Sequence, residues 1–422
     1  MKYLLSTAAA LVLLAGCSPQ DEGAGSLITP QAEGQSVDFH ESLLVMDSHL
    51  DTPAYFHRES YDFSQRGSFA EDGTHVDLPR MREGGLDGGF WVIYTPQGQL
   101  DEASYIAART SALLRQMAIR EMAAKYADSV ELAFTADDAE RIHEDGKIVV
   151  FQSMENAYPL GEDISMLETF YVGGLRMVSP AHFRNNQFSD SATDVNEAYD
   201  GLSPLGEELV REANRLGLIL DGSHASDDTV MDMIALSETP IILSHSGPAT
   251  VFDHPRNVPD ELLIALAEDG GVIQINALGA YLEQLTPTPE RQAALAELNE
   301  EFGTDFMSMS EKEVAAYRAA RAEIGKQFPA PRSTYDKFLE HLFYTLELIG
   351  PDHVGIGADW DGGGGVDGMD DIVDLPKITA DLLEAGYSEE DIAKIWGGNM
   401  LRLMRAAEAA KTSELGSPDV LN

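Results

Sequence analysis

Short apolar runs alternate with longer amphipathic segments over most of the chain. β-branched residues concentrate in the runs, whereas apolar residues recur at a helical spacing in the segments between them. This alternation is typical of a parallel sheet whose strands are joined by crossover helices. The predicted strands are residues 43–47, 89–95, 148–154, 175–179, 217–221, 240–244, 271–276 and 353–358. The clearest predicted helices are residues 102–126, 204–216, 260–268 and 337–349.

Eight such strands are the number in a closed α/β barrel, and we therefore predict a (β/α)8 TIM-like barrel. An open doubly wound sheet is the alternative. Metal-binding residue types follow many of the runs, which favours the barrel, because an open sheet would gather them at one switch point. Residues 287–329, between the last two strands, form a charged insertion that we expect to be helical. Both a lid and a peripheral decoration fit it.

The chain begins with a pattern typical of a bacterial lipoprotein. Lys2 and an apolar run lead to Leu-Ala-Gly-Cys at residues 14–17, so residues 1–16 are predicted to be a signal peptide. Cys17, the only cysteine, stands where lipidation occurs; a cleaved secretory peptide with an incidental cysteine is the alternative. We expect an exported protein, anchored by the lipid on Cys17 to a bacterial membrane on its periplasmic side.

The composition of the chain after the predicted signal peptide divides it into three parts. Residues 17–36 are rich in Gly, Pro, Gln and Ser and are predicted to be a flexible tether. Residues 37–410 form the expected barrel domain, and residues 411–422 a C-terminal tail. The 72 acidic and 28 basic residues give a net charge of −44, which argues against a nucleic-acid partner on electrostatic grounds.

Three candidate metal ligands follow the first and third runs. His49 and Asp51 are two residues apart, so in an extended segment both side chains point to the same side and can bind one ion. The pattern alone is weak, because chance produces it often. Glu155 ends the third run, where a carboxylate is costly to bury unless it is paired or bound to metal. Its two oxygens allow it to bridge two ions.

Two histidines end consecutive runs. His224 follows the fifth and His245 the sixth, so a barrel would make them neighbours that can bind a second ion. Either histidine alone would more often be a buried, hydrogen-bonded residue. Together with the three candidates above, they favour a metal centre.

Further polar residues are expected at the same rim. His182 follows the fourth run and Asp359 the eighth, and both are candidates for acting on substrate. Asp359 could instead cap a loop, and Asp361 has a similar claim to either role. Arg256, beyond the sixth run, could bind a carboxylate in bidentate fashion, with a salt bridge in an acidic protein as the alternative.

The chain resembles the renal (membrane) dipeptidase family, zinc hydrolases of the amidohydrolase-like barrels. The resemblance extends from about Leu43 to Leu403 in family order. The matching segments are residues 47–53, 90–91, 153–155, 182 with 185–186, 221–224, 244–246, 253–257, 355–362 and 398–402.

The resemblance implies two Zn²⁺ ions per subunit. His49, Asp51 and Glu155 would hold one ion, and Glu155, His224 and His245 the other, with Glu155 as the bridge. A hydroxide shared by the ions would attack the substrate's amide carbonyl.

The resemblance also assigns roles around the metals. Asp359 would carry a proton to the leaving amine, His182 would stabilise the oxyanion, and Arg256 would hold the C-terminal carboxylate. Implied substrates are dipeptides, including those with a C-terminal D-residue. A related amide or lactam hydrolase, an N-acyl amino acid deacylase and, more distantly, a non-catalytic binding lipoprotein are the alternatives, and a homodimer is left open.

Two segments depart from the family pattern. Asn156 and Ala157 follow the bridging glutamate, where the family often has glycines. Residues 276–281 lack an aromatic pair that many relatives carry after the seventh strand. Tyr281 is the expected replacement as a substrate contact.

Overall fold

The computed structural model describes residues 36–58, 61–303 and 311–415. The predicted signal peptide, Cys17 and nearly all of the tether lie outside the described residues, as does the end of the tail. The described part begins with a helical segment at residues 36–40. Within the three described ranges, no helix has both the length and the apolar character needed to cross a bilayer.

The strands form a ring of parallel pairs. The described strands are β1 (Met46–Leu50), β2 (Gly88–Tyr94), β3 (Val130–Leu132), β4 (Ile148–Glu155), β5 (Leu175–Val178), β6 (Ile219–Leu220), β7 (Ile242–Pro248), β8 (Asn257–Val258), β9 (Val272–Ile275) and β10 (Val354–Ile356). One sheet has the order β1-β2-β4-β5-β6, and a second has the order β10-β9-β7. Parallel bridges from Asp221 to Ile242 and from Leu50 to Trp360 join their edges. The predicted eight-stranded barrel is thereby confirmed, with β3 and β8 pairing outside the ring.

Each predicted strand has an observed counterpart, but two are displaced. The sixth, β7, extends to Pro248, so His245 lies within it. The first strand is displaced in the same direction. The prediction ended that strand at Asp47, whereas β1 extends to Leu50. A carboxylate is tolerated inside β1 because Asp47 accepts hydrogen bonds from the backbone N–H groups of His49 (2.8 Å) and Ala358 (3.0 Å). His49 therefore lies within the strand and not after it.

Helices cover the outside of the ring. The described α-helices are Phe69–Asp72, Leu78–Glu83, Glu102–Lys125, Ala136–Glu144, Met166–Gly173, Pro204–Leu216, Asp227–Leu236, Asp260–Glu268, Gly279–Leu282, Pro289–Phe302, Glu311–Gln327, Tyr335–Ile349, Leu375–Glu384, Glu389–Ala393 and Asn399–Ala410. Several begin with a side-chain cap, as where Ser203 accepts a hydrogen bond from the N–H of Gly206 (3.0 Å). The insertion between β9 and β10 is helical, as predicted, and its two helices pack on each other.

The barrel interior is packed below its C-terminal rim. Strands of the ring contribute one buried cluster that includes Met46, Phe90, Phe151 and Ile242. Residues of the last helix, among them Met404, join the same cluster and close the opposite end. A barrel filled in this way leaves only the rim at the carboxyl ends of the strands for a site.

Candidate metal centre

One carboxylate oxygen lies among four imidazoles. Glu155, the last residue of β4, places Oε1 at 3.6 Å from Nε2 of His49 and at 3.6 Å from Nε2 of His182. The same oxygen is 3.1 Å from Nε2 of His224 and 3.5 Å from Nε2 of His245. The rim of the barrel thus brings together residues that are far apart in sequence, as the prediction required.

Several residues at the site, or next to it in sequence, have a strained backbone conformation. His224 has φ 69° and Asp359 has φ 64°, in the left-handed region that favours glycine. Asn156, which follows Glu155 directly, has φ 73°. Such conformations cost free energy and cluster at functional sites, where the surrounding structure enforces them.

Burial decides the charge state of two of these imidazoles, those of His224 and His245. The side chains of His49, His224 and His245 are no more than 4% exposed. Desolvation lowers the pKa of His224 and of His245 well below the ordinary value, so both rings are neutral near pH 7. Neutral imidazole is the form that binds a metal ion.

The carboxylates need a positive partner. Desolvation raises the pKa of Glu155 to about 8, although the nearby charge on His49 opposes the shift. Burial would lower the pKa of His49, but the charges of Glu155 and Asp51 outweigh it and raise the value to about 10. A proton on His49 therefore balances the carboxylates in the protein alone, and a divalent cation would supply the same compensation.

The ring nitrogens that face Glu155 are positioned to bind such a cation. Nε2 of His49, the ring nitrogen that faces Glu155, has no hydrogen-bond partner. Nε2 of His224 lies 2.9 Å from Nε2 of His245, so two neutral rings converge on one point. Buried polar atoms left without partners are costly, and metal coordination satisfies them.

A hydrogen-bonded chain fixes the ring of His245. Ser244 Oγ donates to Oδ2 of Asp221 (2.7 Å), so it can accept from Nδ1–H of His245 (2.9 Å). The proton is then on Nδ1, and the lone pair of Nε2 faces Glu155. Outer contacts of this kind hold metal ligands in the required tautomer.

Two aspartates extend the cluster toward β10. Oxygen atoms of Asp51 and Asp359 and a ring nitrogen of His49 all lie within 4.8 Å of one another. Asp361 has a different role, because its carboxylate accepts hydrogen bonds from Oγ1 of Thr52 and the N–H of His75 (both 2.7 Å). Asp361 therefore fixes the loops at the rim.

The site opens into a cavity of about 280 Å³. Its lining residues are Asp51, Ala54, Tyr94, Glu155, His182, Phe183, His224, His245, Leu278, Tyr281, Asp359, Asp361 and Gly362. The ring of His182 is 4.8 Å from that of Tyr94 and 4.0 Å from that of Phe183, measured between centroids. Among the described residues of the insertion, none lines this cavity.

Arg256 lies behind the cavity wall. It is 2% exposed, and its Nη2 donates to the carbonyl oxygen of His245 (2.9 Å). Its guanidinium carbon is 5.3 Å from the ring centroid of Tyr281, which does line the cavity. The structure thus couples Arg256 to a metal-ligand candidate and to Tyr281.

Sequence reasoning missed several contributors. Tyr94 and Phe183 form cavity walls, and Asp47 and Asp221 fix the strand ends. The signal for the two aspartates was the position of a charge inside an apolar run, next to a candidate ligand. No comparable pattern in the sequence indicated His75, which acts through Asp361.

A closed parallel barrel with histidines and carboxylates converging at its C-terminal rim defines a metal-dependent hydrolase of the α/β-barrel type. Residues 34–417 match the model of the membrane dipeptidase family, peptidase family M19. The chain belongs to this family, and it is a dipeptidase, a metallohydrolase acting on peptide bonds.

Individual relatives and solved structures that are similar to this chain are dipeptidases as well. Dipeptidase tcpJ of Claviceps purpurea is 31% identical over 372 residues, which cover 86% of this chain and 77% of that protein. The crystal structure of the probable dipeptidase PvdM from Pseudomonas aeruginosa superposes with a TM-score of 0.78 at 30% identity, covering 90% of this chain and all of that one. Dipeptidase AC, a metallopeptidase of family M19, is 26% identical with a TM-score of 0.67, covering 86% of this chain and 98% of that one.

Proposed function

We propose that this dipeptidase uses two zinc ions. His49, Asp51 and Glu155 would hold one ion, and Glu155, His224 and His245 the other. The observation that carries the proposal is the position of Glu155 Oε1. This oxygen lies within 3.6 Å of Nε2 of His49, from the first ligand set, and of Nε2 of His224 and His245, from the second. The donor set consists of imidazole nitrogen and carboxylate oxygen, which suits zinc. When bound, such ions lower the pKa of water and neutralise charge that develops on the carbonyl oxygen.

His182 is left for the substrate. Its side chain is 13% exposed, compared with 2% for His49 and His245, and it faces the cavity. Burial lowers the pKa of His182 to about 3, so the ring is neutral and can donate a hydrogen bond without carrying charge. A neutral donor aimed at the carbonyl oxygen stabilises negative charge as it forms there.

Asp359 is the proposed proton carrier. Burial raises its pKa to about 8, although the charge on His49 opposes the shift. A carboxyl group with a pKa near the working pH can both accept and release a proton. Asp359 lines the cavity, where it can protonate the leaving amine.

Substrate size and carboxylate recognition follow from the cavity. A volume of about 280 Å³ suits a short substrate. Arg256, whose buried Nε has no hydrogen-bond partner, would bind the C-terminal carboxylate beside Tyr281, and Tyr281 would touch the substrate from the cavity wall. We include dipeptides with a C-terminal D-residue in the proposed substrate range.

The location of the enzyme is a separate proposal. Lipidation of Cys17 would anchor the exported chain to a bacterial membrane, with residues 17–36 as the tether and residues 37–410 as the catalytic domain. Replacing Cys17 by Ser should move the enzyme from the membrane fraction to the soluble fraction. An unchanged distribution would contradict the anchor.

Metal analysis and a substrate screen test the activity together. Purified protein should carry two zinc equivalents per chain and should cleave L-L and L-D dipeptides until a chelator is added. Glu155→Gln should lose zinc and activity, whereas Glu207→Gln, at an exposed ion pair with Arg211, should keep both. Undiminished cleavage by metal-free protein would overturn the zinc proposal, and failure on L-D substrates alone would overturn only the stereochemical one.

A further inference from the structure

Asn156 combines a strained backbone with a completely buried side chain. It follows Glu155, the proposed metal bridge, and has φ 73°, a conformation that glycine adopts without strain. Asparagine tolerates this conformation better than most residues, but its buried amide is costly unless it is hydrogen-bonded. The hydrogen bonds of the amide are what glycine could not supply at this position.

The amide of Asn156 is hydrogen-bonded at both of its polar atoms. Its Oδ1 accepts from the N–H of Tyr158 (3.2 Å) and from Nδ2 of Asn186 (2.9 Å). Its Nδ2 donates to Oε1 of Gln97 (3.3 Å). The backbone N–H of Asn156 donates to Oγ of Ser179 (2.9 Å), so main chain and side chain are both fixed.

Asn186 continues this connection to the segment that carries His182. Its Nδ2 also donates to the carbonyl oxygen of Pro180 (2.7 Å), two residues before His182. Its Oδ1 accepts from the N–H of Phe188 (2.7 Å), which decides which end of the amide faces Asn156. Asn186 is completely buried, and both polar atoms of its amide have partners.

A second route connects Asn156 to the same segment. Gln97, whose Oε1 accepts from Asn156, donates from Nε2 to the carbonyl oxygen of Asn185 (2.8 Å). Within the segment, Oγ of Ser191 donates to the carbonyl oxygen of His182 itself. The position of His182 therefore depends on hydrogen bonds that begin at the residue after Glu155.

We propose that Asn156 is a positioning residue that keeps His182 at a fixed distance from Glu155, through its hydrogen bonds with Asn186 and Gln97. Nε2 of His182 lies 3.6 Å from Oε1 of Glu155. The inference rests on the proposed role of His182 in stabilising charge on the carbonyl oxygen, and a donor does this only when it is held where the oxyanion forms. Asn156 is not among the residues that line the cavity, so it acts through His182 and not on the substrate.

Asn156→Gly tests the network, because glycine keeps the backbone conformation and removes only the amide. In the intact zinc-loaded chain, kcat for Ala-Ala should fall by about tenfold because the donor is misplaced. KM and zinc content should stay near the wild-type values. The loss should be smaller than the roughly 100- to 1000-fold drop expected for His182→Ala, which removes the donor itself.

A double variant separates positioning of His182 from a general effect on the structure. If Asn156 acts through His182, adding Asn156→Gly to His182→Ala should lower kcat no further. A role elsewhere in the protein would lower kcat by the same factor in both backgrounds. Asn196→Ala is the matched control, since its exposed amide donates to Asp194 (3.3 Å) in the same loop, and it should behave as wild type.

Gln97→Ala provides a second variant at a half-buried site. It breaks only the route through Asn185 and should lower kcat by about two- to fivefold, the effect of one ordinary hydrogen bond. The same double-variant test with His182→Ala applies to it if Asn156→Gly does not fold. Thermal unfolding of each variant reports whether the fold is intact.

The outcomes separate this inference from the proposed function. Wild-type kcat for His182→Ala would count against the proposed role of His182 itself. If His182→Ala loses activity, wild-type kinetics for Asn156→Gly, or an effect of Asn156→Gly that persists in the His182→Ala background, would overturn the positioning role alone. Loss of zinc from Asn156→Gly, with kcat restored by added zinc, would show that the amide serves Glu155 and would overturn it as well.

Discussion

Ser244 Oγ lies 2.9 Å from Nδ1 of His245, while Nε2 of the same ring faces Glu155. The hydroxyl donates in turn to the buried carboxylate of Asp221. Ser244 thus sets the orientation and the tautomer of His245, a proposed zinc ligand and its neighbour in sequence. The arrangement predicts that zinc affinity depends on a side chain that cannot reach the metal.

Replacing Ser244 by Ala should lower zinc affinity by about 10- to 100-fold, because Nδ1 of His245 then loses its acceptor. Chelator competition on the purified protein measures this. Ser244→Thr keeps the hydroxyl and should retain most of the affinity, and Ser165→Ala, at an exposed site, should change nothing. Equal affinities for Ser244→Ala and wild type would contradict the role of the relay.

Gly362 leaves no room for a side chain between two carboxylates. A Cβ atom there would stand 2.1 Å from Oδ1 of Asp359 and 2.2 Å from Oδ2 of Asp51. Gly362→Ala should therefore displace both groups and reduce kcat/KM by about 100-fold, the loss that small misplacements of reacting groups produce. Gly325→Ala is the matched control, since nothing lies within 4 Å of its added Cβ. Wild-type kinetics for Gly362→Ala would refute the placement of Asp359 at the reaction centre.

Arg256 is expected to recognise the substrate's carboxylate. Wild-type enzyme should then prefer a dipeptide over the corresponding dipeptide amide, and Arg256→Ala should raise KM for the dipeptide by about 10- to 100-fold, the range for a hydrogen bond to a charged group. Amide kinetics in the same variant report the separate loss of the hydrogen bond to the His245 carbonyl. Equal losses for dipeptide and amide would show that Arg256 acts only through the protein.

His40 makes stability depend on pH. Burial lowers its pKa, although the hydrogen bond to the Gly84 carbonyl opposes the shift. The unfolded chain therefore binds a proton below about pH 6.5 that the folded chain does not, so the free energy of unfolding should fall as pH drops from that value toward the folded pKa. Thermal unfolding from pH 7.5 to pH 5 measures this. His40→Gln should flatten the dependence, and an identical slope in both proteins would rule out His40 as its source.

The strands could be predicted from the sequence because each strand of a barrel is a short apolar run between two helices. All eight strands of the ring overlap the predicted runs, and the helices Pro204–Leu216 and Asp260–Glu268 have the predicted bounds. The prediction ended the first strand too early, because a charged residue such as Asp47 usually marks the end of a strand. The structure shows that Asp47 is buried within the strand and accepts a hydrogen bond from the N–H of Ala358.

The sequence by itself determined which residues could bind metal, because ligand chemistry resides in single side chains and their position after a strand. His49, Glu155, His224 and His245 were identifiable on those grounds. Only the tertiary structure decided that one oxygen of Glu155 faces all three histidines, that Asp361 fixes loops, and that Arg256 lies behind Tyr281. These relationships join residues far apart in the chain, and their distances depend on barrel closure and burial, which local sequence does not encode.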